Sequence, residues 1–155
     1  MSRKYVFFIT LILTLSGLAR VLPPPTVDRV KSAGLVIIGV IDSIKYAPHT
    51  DDIHKFQSDT ALIKIKEILL DKSTRIDSTS TYANLIMPSI RNRMTSSNEI
   101  RYKLNQSGIW ILQIFYVKYS LFSAPYPGDF LQMDYEDKVR RIILELEKEE
   151  SEKIK

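Results

Sequence analysis

The chain contains no cysteine. That absence excludes a disulfide framework, a cysteine-based zinc site, a thiol nucleophile and a lipidated cysteine anchor. Histidine is nearly as scarce. His49 and His54 are the only two, so Ser/His/Asp catalysis would have to run through one of them, and no serine sits in a nucleophile elbow. There are five glycines, with no cluster of the kind that cradles a phosphate. No charge of one sign dominates. Lys and Arg total 22 against 18 Asp and Glu, a net charge of +4. Arg3 and Lys4 supply two of those positive charges, so the chain from Arg20 onward carries 20 basic against 18 acidic residues, or +2. That balance is not the field of a dedicated nucleic-acid binder. No apolar run reaches the roughly 20 residues that span a bilayer.

What remains is ordinary globular composition: 45% hydrophobic and 26% charged over 155 residues. Wholly disordered, collagen-like and multi-span membrane chains do not look like this, and the length suits one domain. The first 19 residues, MSRKYVFFITLILTLSGLA, stand apart. Arg3 and Lys4 form a positive start, Tyr5–Leu15 an apolar run, and Gly17 and Ala19 the small residues of a cut site. This is the pattern of a secretory signal peptide. The expectation is export to the periplasm, cell surface or medium after cleavage between Ala19 and Arg20. An uncleaved leader is the alternative, and the only route to the membrane. About 136 residues would remain, enough to bury roughly two-thirds of the unfolded surface.

Residues 20–26 hold Pro23-Pro24-Pro25, a stiff spacer with no ladder donors. Val27–Ala33 suits a helical turn with Thr26 as its N-cap. Gly34–Lys45 is the strongest strand, and its consecutive Leu35-Val36-Ile37-Ile38 imply cover on both faces. Gly39 interrupts the β-branched run and marks a bend or bulge. Thr60–Leu70 alternates Ile63 and Ile65 with Lys64 and Lys66, which favours a strand over a helix, and the alternation slips at Glu67-Ile68 as a bulge would make it. Tyr82–Met87 and Ile100–Leu104 read as short strands, with a turn at Asn105–Gly108. Ile109–Phe122 is long for one strand, so a bend or hairpin is expected near Lys118–Ser120. Ser123–Asp129 is a Pro/Gly corner. Asp134–Lys155 reads as a helix N-capped by Asp134, with Val139, Ile142, Ile143 and Leu146 on one stripe and a fraying charged tail over 147–155. The fold class expected is mainly β: a small five-stranded, OB-like, partly open β-barrel over 27–146 whose C-terminal α-helix begins within it.

Three strings carry a family likeness. Ala33–Ile41 (AGLVIIGVI), Ala61–Leu70 (ALIKIKEILL) and Gly108–Leu112 (GIWIL) resemble the opening, partner and later strands of exported bacterial OB-fold domains of the netrin/tissue-inhibitor-of-metalloproteinase-like type. The likeness spans about residues 27–146 and implies an exported OB barrel. Those inhibitors chelate a protease zinc through an N-terminal cysteine, a route closed to a chain without cysteine. Fold alone does not fix function.

Four groups qualify as candidate sites. His49 and His54 with Asp51 and Asp52 lack the spacing and the third ligand of a zinc site and read as a polar loop. Arg91, Arg93, Arg101 and Lys103 with Tyr102 between them form the best basic cluster. On an OB barrel such a cluster binds single-stranded nucleic acid through phosphate contacts and stacking; on any solvated strand it is simply the wet face. Trp110, Phe115, Tyr116, Tyr119 and Phe122 line a groove or, more commonly, fill a core with the tyrosines at its boundary. Glu145, Glu147, Glu149 and Glu150 read as a solubilising tail. The sequence therefore points to a non-enzymatic exported module that recognises a protein or envelope component, without metal or cofactor. A cytoplasmic nucleic-acid-binding OB domain is the main rival, and an enzyme using His49 or His54 the third reading.

Overall fold

Leu35-Val36-Ile37-Ile38 form a strand buried on both faces, and the rest of the architecture follows from that. The computed structural model describes residues 25–49, 56–74, 76, 80–91, 100–116 and 120–153. Residues 1–19, where a leader is expected, lie outside them, as do Arg93 and His54. A short helix α1 (Val27–Ser32) leads into β1 (Leu35–Lys45). Then come β2 (Ser58–Asp71), β3 (Tyr82–Pro88), β4 (Ser107–Tyr116), β5 (Leu121–Ser123), β6 (Phe130–Leu131) and a helix α2 (Glu136–Lys153). Thr26 caps α1 as expected, its hydroxyl accepting from the Arg29 amide at 3.3 Å.

The strands run in the order β1-β2-β3-β5-β4, and β4 returns to β1. All neighbours are antiparallel except β3 and β5, which are parallel. The barrel is therefore closed, not partly open. The β1–β4 seam pairs Leu35 with Leu112, Ile37 with Trp110 and Gly39 with Gly108. The short β6 extends the far edge of β4. The fold observed is mainly β, a closed five-stranded barrel with one added strand and a C-terminal helix.

Alternate residues of β1 and β4 face two separate cores. Leu35, Ile37, Ile41, Trp110 and Leu112 point into the barrel with Ile63, Leu85 and Phe122. Val36, Ile38, Ile109 and Ile111 point outward beneath Val30, Val139, Ile142, Ile143 and Leu146 of the two helices. That double cover is why both strings are continuously apolar. Arg140 fixes the angle of α2, bonding Glu136 at 2.8 Å on its own helix and Glu67 at 2.7 Å on β2.

Strand coiling falls partly where the sequence marked it, with a further slip between Ile41 and Ser43. The β1–β2 register slips at Ile37/Ile68 and again at Gly39/Ile65, on either side of the Glu67-Ile68 step. Gly39 is needed for close approach. A Cβ there would lie 2.7 Å from Ile63 Cγ2 and 2.8 Å from the Lys64 carbonyl oxygen, and the Trp110 indole donates to the Gly39 carbonyl at 3.1 Å. Gly39→Ala should therefore lower the unfolding free energy by about 1–3 kcal/mol through overpacking. Chemical denaturation checks this, and an unchanged midpoint would show that the strands can part there without cost.

Two local expectations differ from the structure. Ile100–Leu104 is not a strand: the Tyr102 ring turns into the core, and the chain bonds back to β1 through Asn105 N–H to Ile41 O at 2.9 Å and Ile41 N–H to Gln106 O at 3.0 Å. Asn105 takes φ 63° to make that turn. Asp134 does not cap α2; it lies within a 3₁₀ turn over Met133–Tyr135 that runs into the helix. Beyond Leu146 the helix runs on to Lys153 with every residue from Glu147 exposed, and Glu150 lies 3.5 Å from Lys72.

Candidate binding groove

Two exposed phenylalanines, Phe56 of the β1–β2 connection and Phe115 near the end of β4, line one groove. Phe56 is 62% and Phe115 58% exposed. Between them lies a groove of about 280 Å³ lined by Phe56, Ser58, Ile86, Met87, Pro88, Ile100, Phe115, Ser123, Ala124 and Pro125. Backbone register explains the grouping. Ser58 pairs with Pro88 across β2–β3, and Ile86 pairs with Ser123 across β3–β5, so their outward side chains share one face. On β4, an irregularity between Ile114 and Tyr116 leaves Phe115 unpaired in the register with β5. Among the described residues no ionisable side chain lines the groove.

Two polar structures hold its walls. Asp59 is fully buried beside Ser58. One of its carboxylate oxygens accepts from the Ala47 amide at 2.8 Å, the other from the Ile90 amide at 3.1 Å. Ser89 donates its amide to Gln57 O at 3.0 Å. The second structure is the corner after Pro125. Asp129 is buried, accepting from the Tyr126 amide at 2.8 Å and from Arg29 at 3.0 Å. The Arg29 guanidinium also lies 4.7 Å from the centroid of the Tyr126 ring. The Tyr102 hydroxyl donates to the Ala124 carbonyl at 3.1 Å. Burial pushes the Tyr102 phenol well above its ordinary value, the Asp129 charge pushes it further, and the Arg29 charge pulls the other way, so it remains a donor.

Burial also raises the Asp129 carboxyl above 3.8, outweighing the Tyr126 amide and the Arg29 guanidinium that pull it down. A carboxyl raised by folding binds its proton more readily in the folded chain. Its contribution to stability is therefore lost as pH rises from 3.8 through the raised value. Asp129→Asn removes that dependence. The stability advantage of the wild type over Asp129→Asn should shrink as pH rises through this window, as followed by urea denaturation in a pH series. An advantage that grows with pH would mean that the Arg29 pairing outweighs burial.

The basic cluster is divided by the structure. Arg93 lies outside the described residues. Arg91 donates to the Ala47 carbonyl and Arg101 to the Ser89 carbonyl, so both guanidiniums brace the wall that Asp59 braces from within. Tyr102 is only 6% exposed, with its ring 5.0 Å from Trp110 at 74°; it is closed to a stacking base. Lys103 is exposed in the turn before β4. The aromatic run divides too. Trp110 and Phe122 are core, Phe115 and Tyr116 are at the surface, and Tyr119 lies outside the described residues. His49 lies in the β1–β2 connection, while Asp51, Asp52 and His54 are not described. Among the described residues no three His, Cys, Asp or Glu side chains gather where a metal would sit.

No family model matches this chain, and no curated protein does. Phe115 was visible in the sequence as a groove candidate. Phe56, Ile86, Pro88 and Ile100 were not, because single apolar residues at strand ends give no periodic signal until the barrel closes and brings them together.

Proposed function

We propose that the protein is an exported, non-catalytic binding module that recognises a protein or cell-envelope component through this groove. The observation that carries the reading is the pair Phe56 and Phe115, held at water on either side of a concave apolar surface. Single exposed apolar residues are commonplace, but an apolar concavity with aromatic edges is the surface form of recognition. Its place supports the same conclusion. OB barrels take up ligands on the β2–β3 face between the β1–β2 and β4–β5 connections, and Phe56, Ser58, Ile86, Pro88 and Phe115 lie there. The leader supports export. The likeness of β1, β2 and β4 to netrin/tissue-inhibitor-of-metalloproteinase-like domains supports a protein ligand, without the cysteine-based zinc chelation those inhibitors use.

The test is the N-terminal sequence and cell fraction of the protein from its own host, together with a titration against fluorescent oligothymidylate. The expected result is an exported chain beginning at Arg20 that binds no oligonucleotide more tightly than about 1 µM at physiological salt. An intact Met1 chain in the cytoplasm with tighter, salt-sensitive oligonucleotide binding would replace this reading with the nucleic-acid one.

A further inference from the structure

We infer that the groove accepts an acidic polypeptide segment, one large apolar side chain of which seats between Phe56 and Phe115 while neighbouring carboxylates meet Arg91 and Arg101. This rests on the binding-module reading and names the chemistry of its partner. The seat itself is apolar: Ile86, Pro88, Ile100 and Phe115 form its surface, and at about 280 Å³ it is the size of an anchor pocket rather than of a whole small-molecule site. It is an open groove on one face of the barrel. A lipid chain would need enclosure over most of its length, whereas an anchored side chain leaves the rest of its backbone in water.

The surroundings supply the charge. Arg101 follows Ile100 directly, and Arg91 lies three residues beyond Pro88. Each guanidinium spends one donor on a backbone carbonyl, which fixes the fork in place. An arginine presents five N–H groups, so most of each fork remains for a ligand carboxylate, the partner it pairs with bidentately. Among the described residues neither arginine is in an ion pair. The wall carboxylate Asp59 is buried with both oxygens bonded to amides. Two arginines adjoining the Pro88 and Ile100 end of an apolar seat favour an acidic partner by charge complementarity.

The experiment pans a random peptide library displayed on phage against the protein and against Phe115→Ser, with Phe56→Ser as a second variant. Both phenylalanines are exposed, so both variants should keep the wild-type circular dichroism spectrum and melting temperature. The expected selection is of peptides with a large apolar residue flanked by Asp or Glu, and it disappears on Phe115→Ser. A fluorescent copy of the leading peptide should bind roughly tenfold tighter than its Lys-substituted version at low salt, an advantage that collapses near 0.5 M NaCl. Selection of basic or uncharged anchored peptides, still lost on Phe115→Ser, would overturn the acidic partner while leaving the groove as the binding site. Equal selection by wild type and both variants, or no selection at all, would overturn both. Tighter binding of oligothymidylate or of anionic phospholipid vesicles than of any selected peptide would assign the groove to another ligand class and overturn the inference.

Discussion

Trp110→Ala should cost about 3–5 kcal/mol of unfolding free energy, the cost of deleting a large buried aromatic. Trp110 is fully buried at the β1–β4 seam that closes the barrel. Its ring lies 5.0 Å from Tyr102 and 4.6 Å from Phe130, and its indole nitrogen bonds the Gly39 carbonyl at 3.1 Å. Truncation opens a cavity lined by the other two rings and removes that donor. A domain of this size is stable by only about 5–15 kcal/mol, so the variant should retain little margin at 37 °C. Trp110→Phe separates the two contributions. It keeps most of the volume and loses the hydrogen bond, and should cost only about 1–2 kcal/mol. Because Trp110 is the only tryptophan, unfolding must be followed by far-ultraviolet circular dichroism. Equal losses for the two variants would show that the indole bond, not the packing, dominates.

The second large effect lies under the groove. Asp59→Ala leaves the Ala47 amide without its acceptor in a buried site and the Ile90 amide without its acceptor in a half-buried one. At about 1–3 kcal/mol for the buried Ala47 amide and less for the Ile90 amide, which water can reach, the loss should be roughly 1–4 kcal/mol. Asp59→Asn is the sharper test. Its side chain retains one acceptor oxygen but turns an NH₂ donor towards the other amide, so it should recover only part of the loss despite its matching shape. The effect should be local as well as global. Amide exchange of Ala47 and Ile90 should accelerate in both variants more than exchange of Ile37 or Leu112 in the barrel core. Full recovery by Asp59→Asn would mean that only one of the two amides depends on this carboxylate.

These residues also show what a sequence can reveal. The apolar strings Leu35–Ile38 and Ile109–Leu112 announced strands covered on both faces, and α2 supplied the outer cover. The Gly39 interruption and the slip at Glu67-Ile68 announced the coiling that lets five strands close. Those signals are local and periodic. Closure itself was not legible, because the pairing of Leu35 with Leu112 is a long-range contact. Tyr102 was misleading for a related reason. Between Arg101 and Lys103 it has the pattern of a wet edge strand, yet the Asn105 turn and the bond to Ala124 rotate it inward. The groove was the least legible feature, since its lining comes from the β1–β2 connection, β2, β3, the segment before β4, β4, β5 and the segment after it. Asp59 carried no motif, and only its burial with two amide partners distinguishes it from a surface acid.

The most direct test of the groove as binding site is photo-cross-linking in the protein's own host, comparing Phe115→benzoylphenylalanine with Leu144→benzoylphenylalanine. Both side chains are exposed, but Leu144 lies on α2, away from the groove. The account requires a discrete protein adduct in the exported fraction from position 115 and none from position 144. No adduct from position 115, or the same adducts from both positions, would contradict it.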